Sequence, residues 1–341
     1  MKRTELNELG EFGLIDHLTE NFSNKNQSTL KGVGDDAAVL RYNAGACTVV
    51  STDMLVEGIH FDMIYTPLKH LGYKAIVVNL SDIYAMNAVP KQVLVSMAIS
   101  NRYSVEALNE IYQGMKLACD FYGVDLVGGD TTSSLKGLIL SITAIGEQLE
   151  EKITYRSGAK VGDLLCVTGD LGAAYVGLQL LEREKEVFLA NPNMEPKFEG
   201  QNYLIERILK PEARKDVVEF FEKEQLIPSS MIDISDGLSS EILHLCKHSA
   251  LGVLVEEAHV PISEDTYHQA LEFNTDPIVC AMHGGEDYEL LFTIAPGDAE
   301  KIKHSLDITI IGEMIPAEDG MKLHTKAGKL HDLIAQGWRH Y

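Results

Sequence analysis

Hydrophobic and polar positions follow two different periods along the chain, and together they predict an α/β protein. Short apolar runs rich in β-branched residues and bounded by Gly, Asn or Asp are typical of strands. Such runs occur at residues 37–42, 47–55, 92–100, 124–127, 138–145, 164–168, 231–234, 253–255, 290–294 and 308–312. Helical spacing of apolar residues occurs at 5–22, 67–88, 104–123, 172–184, 202–209, 212–224, 237–248, 263–272 and 298–305. We interpret the charged segment 185–202, which contains two prolines, as an exposed insertion.

The run from Gly32 to Phe61 is predicted to form an acidic hairpin. Two apolar strands, 37–42 and 47–55, flank a short Asn- and Gly-containing turn. Antiparallel pairing of these strands would set Asp35 and Asp36 opposite Thr52 and Asp53. Carboxylates that face each other on a sheet repel, so the hairpin needs either a cation between them or exposure to water.

The length of the chain and its charge narrow the class of protein. A chain of 341 residues favours two domains, which we expect at 1–150 and 151–341, with a boundary loop around 156–160. The chain carries 29 basic and 51 acidic residues without a basic cluster, which argues against nucleic-acid binding. The acidic excess serves either solubility or cation binding. Scattered cysteines, no signal-peptide core and no long apolar run predict a cytoplasmic protein without a membrane span.

Aspartates recur at the ends of predicted strands, beside Gly, Ser or Thr, and this pattern suggests a magnesium site. Carboxylate and hydroxyl oxygens without His or Cys suit Mg²⁺, which often also takes phosphate oxygens as ligands. Asp82 adds a carboxylate on an apolar helix, where it shares a face with Asn79. For any one of these residues, a helix cap or a turn is an equal alternative. The acids with this pattern are Asp35, Asp36, Asp53, Asp82, Asp130, Asp233 and Asp236.

Glycine placement favours phosphate binding. Gly128 and Gly129 precede Asp130 and leave backbone N–H groups open to an anion, and Ser235 to Gly237 open a predicted helix. Arg156 is either a phosphate clamp or an ordinary linker arginine. The chain lacks a P-loop, and the dinucleotide-like pattern at 32–37 precedes a strand instead of following one. His60 and Glu286 adjoin these acidic segments, but spacing alone favours a surface histidine.

Taken in order, the segments GVGDDAAV, STDMLVEGIHF, NLSDIYAMNAVP, VGGDTT, RSGAKVGD, DISDGL and GGEDYEL resemble the thiamine-monophosphate kinase family. The wider superfamily includes aminoimidazole ribonucleotide synthetase, selenophosphate synthetase and a hydrogenase-maturation protein. The resemblance implies a two-domain synthetase-like fold of the α/β (α+β) class. In that fold an N-terminal mixed-sheet domain binds ATP and Mg²⁺ and dimerises, and a C-terminal α/β domain closes the active site. Asn87 departs from the commoner family form AMG, but Asn tolerates positive φ.

The resemblance also implies a reaction: ATP-dependent phosphorylation of thiamine monophosphate to thiamine diphosphate by in-line transfer, the last step of thiamine diphosphate biosynthesis. It assigns the catalytic role to Asp53 and Asp130. Several Mg²⁺ ions would be held by Asp35, Thr52, Asp53, Asp82, Asp130, Asp233 and Asp236. ATP would be contacted by Tyr112, Gly129, Asp130, Arg156 and Ser235. Thiamine monophosphate would be contacted by His60, Glu286 and Trp338.

Two alternatives remain open at the level of sequence. The first is a sister enzyme with another acceptor, although none of the cysteines lies in a Gly-rich N-terminal loop and the last residue is Tyr341. The second is a non-catalytic acidic protein that binds metal or nucleotide. Turnover of ATP with thiamine monophosphate separates both from the kinase.

Overall fold

The structure, a computed structural model, describes residues 17–31, 39–40, 45–194, 196–303, 305 and 307–334. The chain divides into two compact units, described separately below. The first comprises Met1–Tyr84 with Ala88–Glu151, and the second comprises Ala85–Asn87 with Lys152–Tyr341. No helix of the described part is long and apolar enough to cross a membrane.

A four-stranded mixed sheet with the order β3-β6-β4-β5 forms the first unit. Its strands are β3 (Ala46–Val56), β4 (Val89–Ile99), β5 (Asp125–Ser133) and β6 (Leu138–Leu149). β4 and β5 run parallel, whereas β6 pairs antiparallel with both β3 and β4. Alternate residues of β6, from Leu138 to Ala144, are buried while their neighbours are partly exposed, as expected for a sheet with one covered face.

The described part of the first unit contains two long helices, α1 (Leu68–Ala85) and α2 (Val105–Tyr122). α1 is buried on nearly all sides, as its apolar sequence predicts. Ser104 caps α2, and Gly123 ends it in the left-handed region, both as predicted. The two helices approach so closely that a Cβ atom on Gly72 would lie 1.8 Å from the backbone oxygen of Ile111. Glycine is therefore required where the backbones meet.

The predicted hairpin is wrong. β3 pairs over its whole length with β6, which places Thr52 opposite Thr143 and Asp53 opposite Ile142. The described part of the other predicted strand, β2 (Val39–Leu40), pairs instead with β1 (Thr29–Lys31) in a separate two-stranded sheet. β2 and β3 thus belong to two different sheets. A partner about 90 residues away offers β3 eleven paired positions, far more than its short neighbour along the chain could offer.

The second unit contains a seven-stranded sheet with the order β13-β12-β9-β11-β7-β10-β8. Its strands are β7 (Leu164–Thr168), β8 (Ser230–Asp233), β9 (Gly252–Glu256), β10 (Leu290–Ile294), β11 (Ile308–Ile315), β12 (Met321–His324) and β13 (Leu330–Asp332). Only the β9–β12 pair is parallel among these described strands. β7 and β10 are almost completely buried, β10 at every residue, and their continuous apolar runs reflect this.

Helices flank this sheet. They are α3 (Ala173–Ala190), α4 (Asn202–Leu209), α5 (Lys215–Glu224), α6 (Leu238–Ser249), α7 (Glu264–Glu272), α8 (Pro277–His283) and α9 (Ala299–Ile302). The bounds predicted for β7, β10 and α4 agree with the structure. α3 continues six residues past its predicted end at residue 184, so the first part of the supposed insertion is helical. α8, β12 and β13 were not predicted.

Candidate active site

In the first unit, α1 and β3 bring two of the predicted acids to adjoining positions. The hydroxyl of Ser51 donates a hydrogen bond to Asp82 Oδ2. The backbone N–H of Asp53 donates to Asn79 Oδ1 at 2.8 Å, and Asn79 is almost completely buried. Residues 79 and 82 thus face residues 51 and 53 of the strand, as their three-residue spacing on the helix predicts. Asp82 contacts a hydroxyl in a partly buried setting and is not a solvent-facing helix end.

Thr52 lies between Ser51 and Asp53 on β3, so its side chain points to the opposite face of the sheet. Its hydroxyl donates to the backbone oxygen of Ile142 at 3.0 Å and accepts from the Thr143 hydroxyl at 3.1 Å. One lone pair of the Thr52 oxygen is left over by these two bonds. The side chain is exposed, so this oxygen is accessible to a ligand.

His60 lies in a tight turn directly after β3. Its Nδ1 accepts a hydrogen bond from the backbone N–H of Val56 at 3.0 Å, so the neutral ring carries its proton on Nε2. Glu57 anchors the same turn by accepting from the Tyr103 hydroxyl and from the Leu138 N–H at 2.7 and 2.8 Å. The turn therefore presents the Nε2–H edge of a histidine whose tautomer is set by the backbone.

Asp130 and Gly129 lie on β5, the edge strand opposite β3. With neighbouring strands ~4.8 Å apart, the three spacings between β3 and β5 amount to roughly 14 Å. The structure therefore does not bring Asp130 beside Asp53. Gly129 lies within the strand, where a Cβ atom would meet the backbone oxygen of Val95 at 1.8 Å. Strand packing alone therefore requires glycine at position 129.

Tyr112 faces the core of the first unit on α2. Its ring packs edge-on against Phe22 with centroids 6.2 Å apart, and only 8% of the residue is exposed. Burial raises the pKa of its phenol to about 12. The tyrosine is thus held mainly by packing.

In the second unit, strand pairing joins the Asp233–Asp236 segment to the segment that carries Glu286. Asp233 ends β8 opposite Leu290 of β10. Backbone hydrogen bonds continue beyond the strands, from Glu286 N–H to Ser235 O at 2.7 Å and from Tyr288 N–H to Ile234 O at 2.9 Å. Two motifs about 50 residues apart in sequence thereby become neighbours.

Glu241 belongs to this cluster, although the sequence analysis missed it. Its Oε1 accepts from the backbone N–H of Asp236 at 3.1 Å, and its Oε2 is buried without a hydrogen-bond partner. Burial raises the pKa of Glu241 to about 8, and the charges of Asp236 and Asp233 act in the same direction. The feature of the sequence that could have identified Glu241 is an acidic residue in the first turn of the helix that follows Ser-Asp-Gly.

Arg156 lies on an exposed segment that is tied to β8, because the Met231 N–H donates to the backbone oxygen of Tyr155 at 2.9 Å. His244 of α6 experiences the charges of both Arg156 and Asp236. Burial lowers the pKa of His244, and the positive charge of Arg156 adds to this effect. The described cluster of the second unit therefore combines carboxylates with one exposed guanidinium.

The donor set fits Mg²⁺ in its chemistry. Within the described part of the chain, no group of three or more His, Cys, Asp or Glu side chains is arranged to hold a metal by itself. Mg²⁺ typically takes one or two carboxylates and completes its shell with water and phosphate oxygens. The orphaned buried carboxylate oxygen of Glu241, facing two further acids, is an environment that a cation would stabilise. Asp35, Asp36 and Trp338 lie outside the described residues.

The fold and the matched N-terminal region define the class of protein. Residues 34–148 match the family model of the AIR synthase related protein, N-terminal domain. A thiamine-monophosphate kinase of Aquifex aeolicus (strain VF5) is 36% identical over 340 residues, which cover 98% of this chain and 99% of that protein. The chain belongs to the thiamine-monophosphate kinase family.

Solved structures agree with this assignment. AaThiL complexed with AMPPCP and TMP has 32% sequence identity and a TM-score of 0.75, with both chains covered completely. Thiamine-monophosphate kinase from Stenotrophomonas maltophilia K279a has 30% identity and a TM-score of 0.79, covering 96% of this chain and 98% of that one. The predicted fold class and family are thereby confirmed.

Proposed function

We propose that the protein transfers the γ-phosphoryl group of ATP to thiamine monophosphate, giving thiamine diphosphate and ADP, the last step of thiamine diphosphate biosynthesis. The observation that carries this proposal is the likeness over the full chain to AaThiL complexed with AMPPCP, an ATP analogue, and TMP. The backbone pairing that joins the Ser235 segment to the Glu286 segment supports it, since it sets an expected ATP contact beside an expected substrate contact.

We assign ATP contacts to Tyr112, Gly129, Asp130, Arg156 and Ser235. The exposed guanidinium of Arg156 supplies positive charge for a phosphate. Contacts to thiamine monophosphate are assigned to His60, Glu286 and Trp338. His60 suits a phosphate oxygen, because the backbone bond to its Nδ1 leaves a proton on Nε2. Asp53 and Asp130 are the proposed catalytic residues.

Mg²⁺ is the proposed metal, and several ions are expected. Asp35, Thr52, Asp53, Asp82, Asp130, Asp233 and Asp236 would hold them. When bound, Mg²⁺ neutralises phosphate charge and orients the oxygens in phosphoryl transfer. This contribution is large, since two like charges at about 4 Å repel by ~4 kcal/mol at an effective dielectric of 20.

The acceptor oxygen belongs to a phosphate and is already anionic, so direct in-line transfer requires little help from a general base. The protein's own task is to hold both phosphate groups in line and to exclude water. Asn79 and Ser51 fix the positions of Asp53 and Asp82 for this purpose.

The decisive assay incubates the full chain with ATP, Mg²⁺ and thiamine monophosphate and measures ADP and thiamine diphosphate. We expect both products in equal amounts. Absence of both would reject the kinase, and ATP binding without turnover by calorimetry would instead identify a nucleotide-binding protein.

The same assay tests the role of Asp130. Asp130→Asn should remove most turnover while the fold stays intact, since Asp130 is exposed on an edge strand. Asp120→Asn is the matched control, because Asp120 is a half-exposed acid of the same unit that pairs with Lys116 at 2.6 Å. A near-normal kcat for Asp130→Asn at saturating Mg²⁺ would exclude its proposed role.

We also propose a cytoplasmic homodimer that binds neither nucleic acid nor membrane. Dimerisation through the sheet of the first unit is supported by Val50 and Met54 of β3, which are 60% and 54% exposed. The free cysteines Cys119, Cys166, Cys246 and Cys280 are buried thiols, in keeping with a reducing compartment. Sedimentation equilibrium should give twice the mass of 37.6 kDa, and a monomer would refute the dimer.

A further inference from the structure

The second unit contains a buried ionic network next to the segment that carries Glu286. Glu289 is buried and contacts two arginines: Arg214 Nη1 lies 2.6 Å from its Oε2, and Arg207 Nη1 lies 2.9 Å from its Oε1. The Thr168 hydroxyl also donates to Glu289 Oε2 at 2.6 Å. These charged bonds hold the pKa of Glu289 below its usual range despite burial, so this carboxylate is ionised at neutral pH.

The network reaches along the backbone of the segment itself. Arg207 Nη2 donates to the backbone oxygen of Asp170 at 3.0 Å and to that of Asp287 at 3.4 Å. The Asp287 carboxylate is buried and accepts from the Gly172 N–H at 3.0 Å, where α3 begins. The segment between Gly285 and β10 is thus held through its own carboxylates, Asp287 and Glu289, by two guanidinium groups and the N–H of Gly172.

The segment also carries backbone strain. Glu286 and Tyr288 adopt positive φ angles of 63° and 53°, in the left-handed region that side chains rarely occupy. Residues with a Cβ atom are disfavoured in this region, because Cβ lies too close to the following carbonyl oxygen. Asp287 and Glu289, two residues apart, share the buried side, whereas Glu286 between Gly285 and Asp287 is partly exposed. The strained residue Glu286 thus lies directly beside Asp287, which the network holds, and the Oε2 of Glu286 is itself buried.

We infer that Arg207, Arg214, Asp287 and Glu289 form a positioning device that sets the orientation of Glu286 and thereby the affinity for thiamine monophosphate. The inference rests on the proposed function, in which Glu286 contacts that substrate. Buried ion pairs are often no more stabilising than apolar residues of the same size. Stability alone therefore does not account for so many charges placed around one strained segment.

The test is Glu289→Gln, which keeps the shape of the side chain but removes the charge that both arginines share. Calorimetry on the full chain with Mg²⁺ should show about a tenfold weaker Kd for thiamine monophosphate, a change of the size expected for coupled neighbours. The Kd for the ATP analogue AMPPCP should change less than about twofold, because the network bonds directly to the segment of Glu286, whereas Ser235 joins that segment through a backbone hydrogen bond.

A double-mutant cycle separates positioning from general loss of stability. If Glu289 acts through Glu286, Glu289→Gln should have little further effect on the thiamine monophosphate Kd once Glu286→Gln is present. Glu184→Gln is the matched control, because Glu184 is also buried in the second unit and pairs with Arg183 at 2.7 Å, away from the segment. It should lower stability without changing either Kd.

Arg207→Lys provides a second variant in case Glu289→Gln does not fold. Lysine keeps the charge but cannot reproduce the hydrogen bonds to the backbone oxygens of Asp170 and Asp287. The variant should therefore also weaken the binding of thiamine monophosphate without weakening that of AMPPCP. Failure of the wild-type chain to bind thiamine monophosphate would reject the proposed function. If the wild-type chain binds thiamine monophosphate normally, two results would overturn the positioning device. The first is an unchanged Kd in folded Glu289→Gln or Arg207→Lys, and the second is full additivity of the two substitutions in the double-mutant cycle.

Discussion

At the residue scale, one buried amide links the core of the first unit to its proposed metal ligands. Asn79 accepts from the Asp53 N–H at 2.8 Å and donates to the Ala75 backbone oxygen at 3.0 Å. Its helical spacing to Asp82 was visible in the sequence, but its bond to Asp53 was not, because the strand and the helix are separate segments. The backbone conformation of Asn87, by contrast, could be predicted from the residue type alone. Its φ is 54°, as expected for an Asn at a helix end.

Asn79→Leu tests this link. The change fills the same space but leaves the Asp53 N–H without its acceptor, so the free energy of unfolding should fall by about 1–3 kcal/mol. The Mg²⁺ concentration for half-maximal activity should rise, since Asp53 loses its fixed position. Urea denaturation and a Mg²⁺ titration measure the two effects, and unchanged values for both would show that Asn79 has no such role.

Asp287 predicts a pH dependence of stability. Burial raises its pKa to about 7 in the folded protein, against roughly 3.9 for an unfolded aspartate. Between these values the folded state binds more protons, so this residue's contribution to the free energy of unfolding falls as pH rises from about 4 to 7. The free energy of unfolding of wild type should therefore fall by on the order of a few kcal/mol relative to that of Asp287→Asn over this range. Denaturant unfolding at pH 5 and pH 8 measures the difference, and parallel pH profiles would contradict it.

At the element scale, the two glycines of β5 show that a motif typical of anion binding can instead be required by strand packing. The sequence of Gly128 and Gly129 suggested an anion-binding loop, yet both lie inside a strand paired with β4. A Cβ atom on Gly129 would collide with Val95 O, whereas one on Gly128 would meet only Leu94 Cδ2 at 3.8 Å. The two neighbouring glycines therefore differ sharply in what they tolerate.

Gly129→Ala should destabilise the first unit by about 3 kcal/mol, because the β4 and β5 backbones must separate. Gly128→Ala is the control and should change the unfolding midpoint little. Thermal unfolding of both variants checks this. Equal effects of the two substitutions would show that the close approach to Val95 is not what selects glycine.

Strand partners were harder to predict than strands. The apolar runs of β7 and β10 predicted their bounds correctly, since local composition and period decide whether a strand forms. The partner of β3 depends instead on matching eleven positions of β6 far along the chain, which no local pattern encodes. The short strands β12 and β13 were missed because they are polar and partly or fully exposed.

At the scale of the whole molecule, the family and the fold class could be predicted from ordered motifs along the chain. The ionic network could not, because its members come from separate segments: β7, the start of α3, α4, the loop before α5 and the turn before β10. Each charge looks like an ordinary surface residue in the sequence. Only the fold shows that Glu289 and Arg207 are buried together.

Ligand binding should stabilise the whole molecule. A ligand at 100 times its Kd adds about 2.7 kcal/mol to the free energy of unfolding, which corresponds to a rise of several degrees in Tm. Differential scanning fluorimetry with Mg²⁺ and AMPPCP should show this rise in wild type and a much smaller one in Asp130→Asn. An equal rise in both would argue against a role for Asp130 in holding the metal and nucleotide.

The pairing of β8 with β10 has a consequence for how such a chain can vary over evolution. Asp233 lies opposite Leu290, and each residue between Glu286 and Leu290 has a set place along this pair. Deleting one residue here would exchange inward and outward side chains, bringing a buried carboxylate into solvent and Glu286 into the core. The exposed turn between α7 and α8, within the long connection between the two strands, is under no such restriction. We therefore expect length differences among relatives to accumulate in that turn and to be absent from residues 284–290.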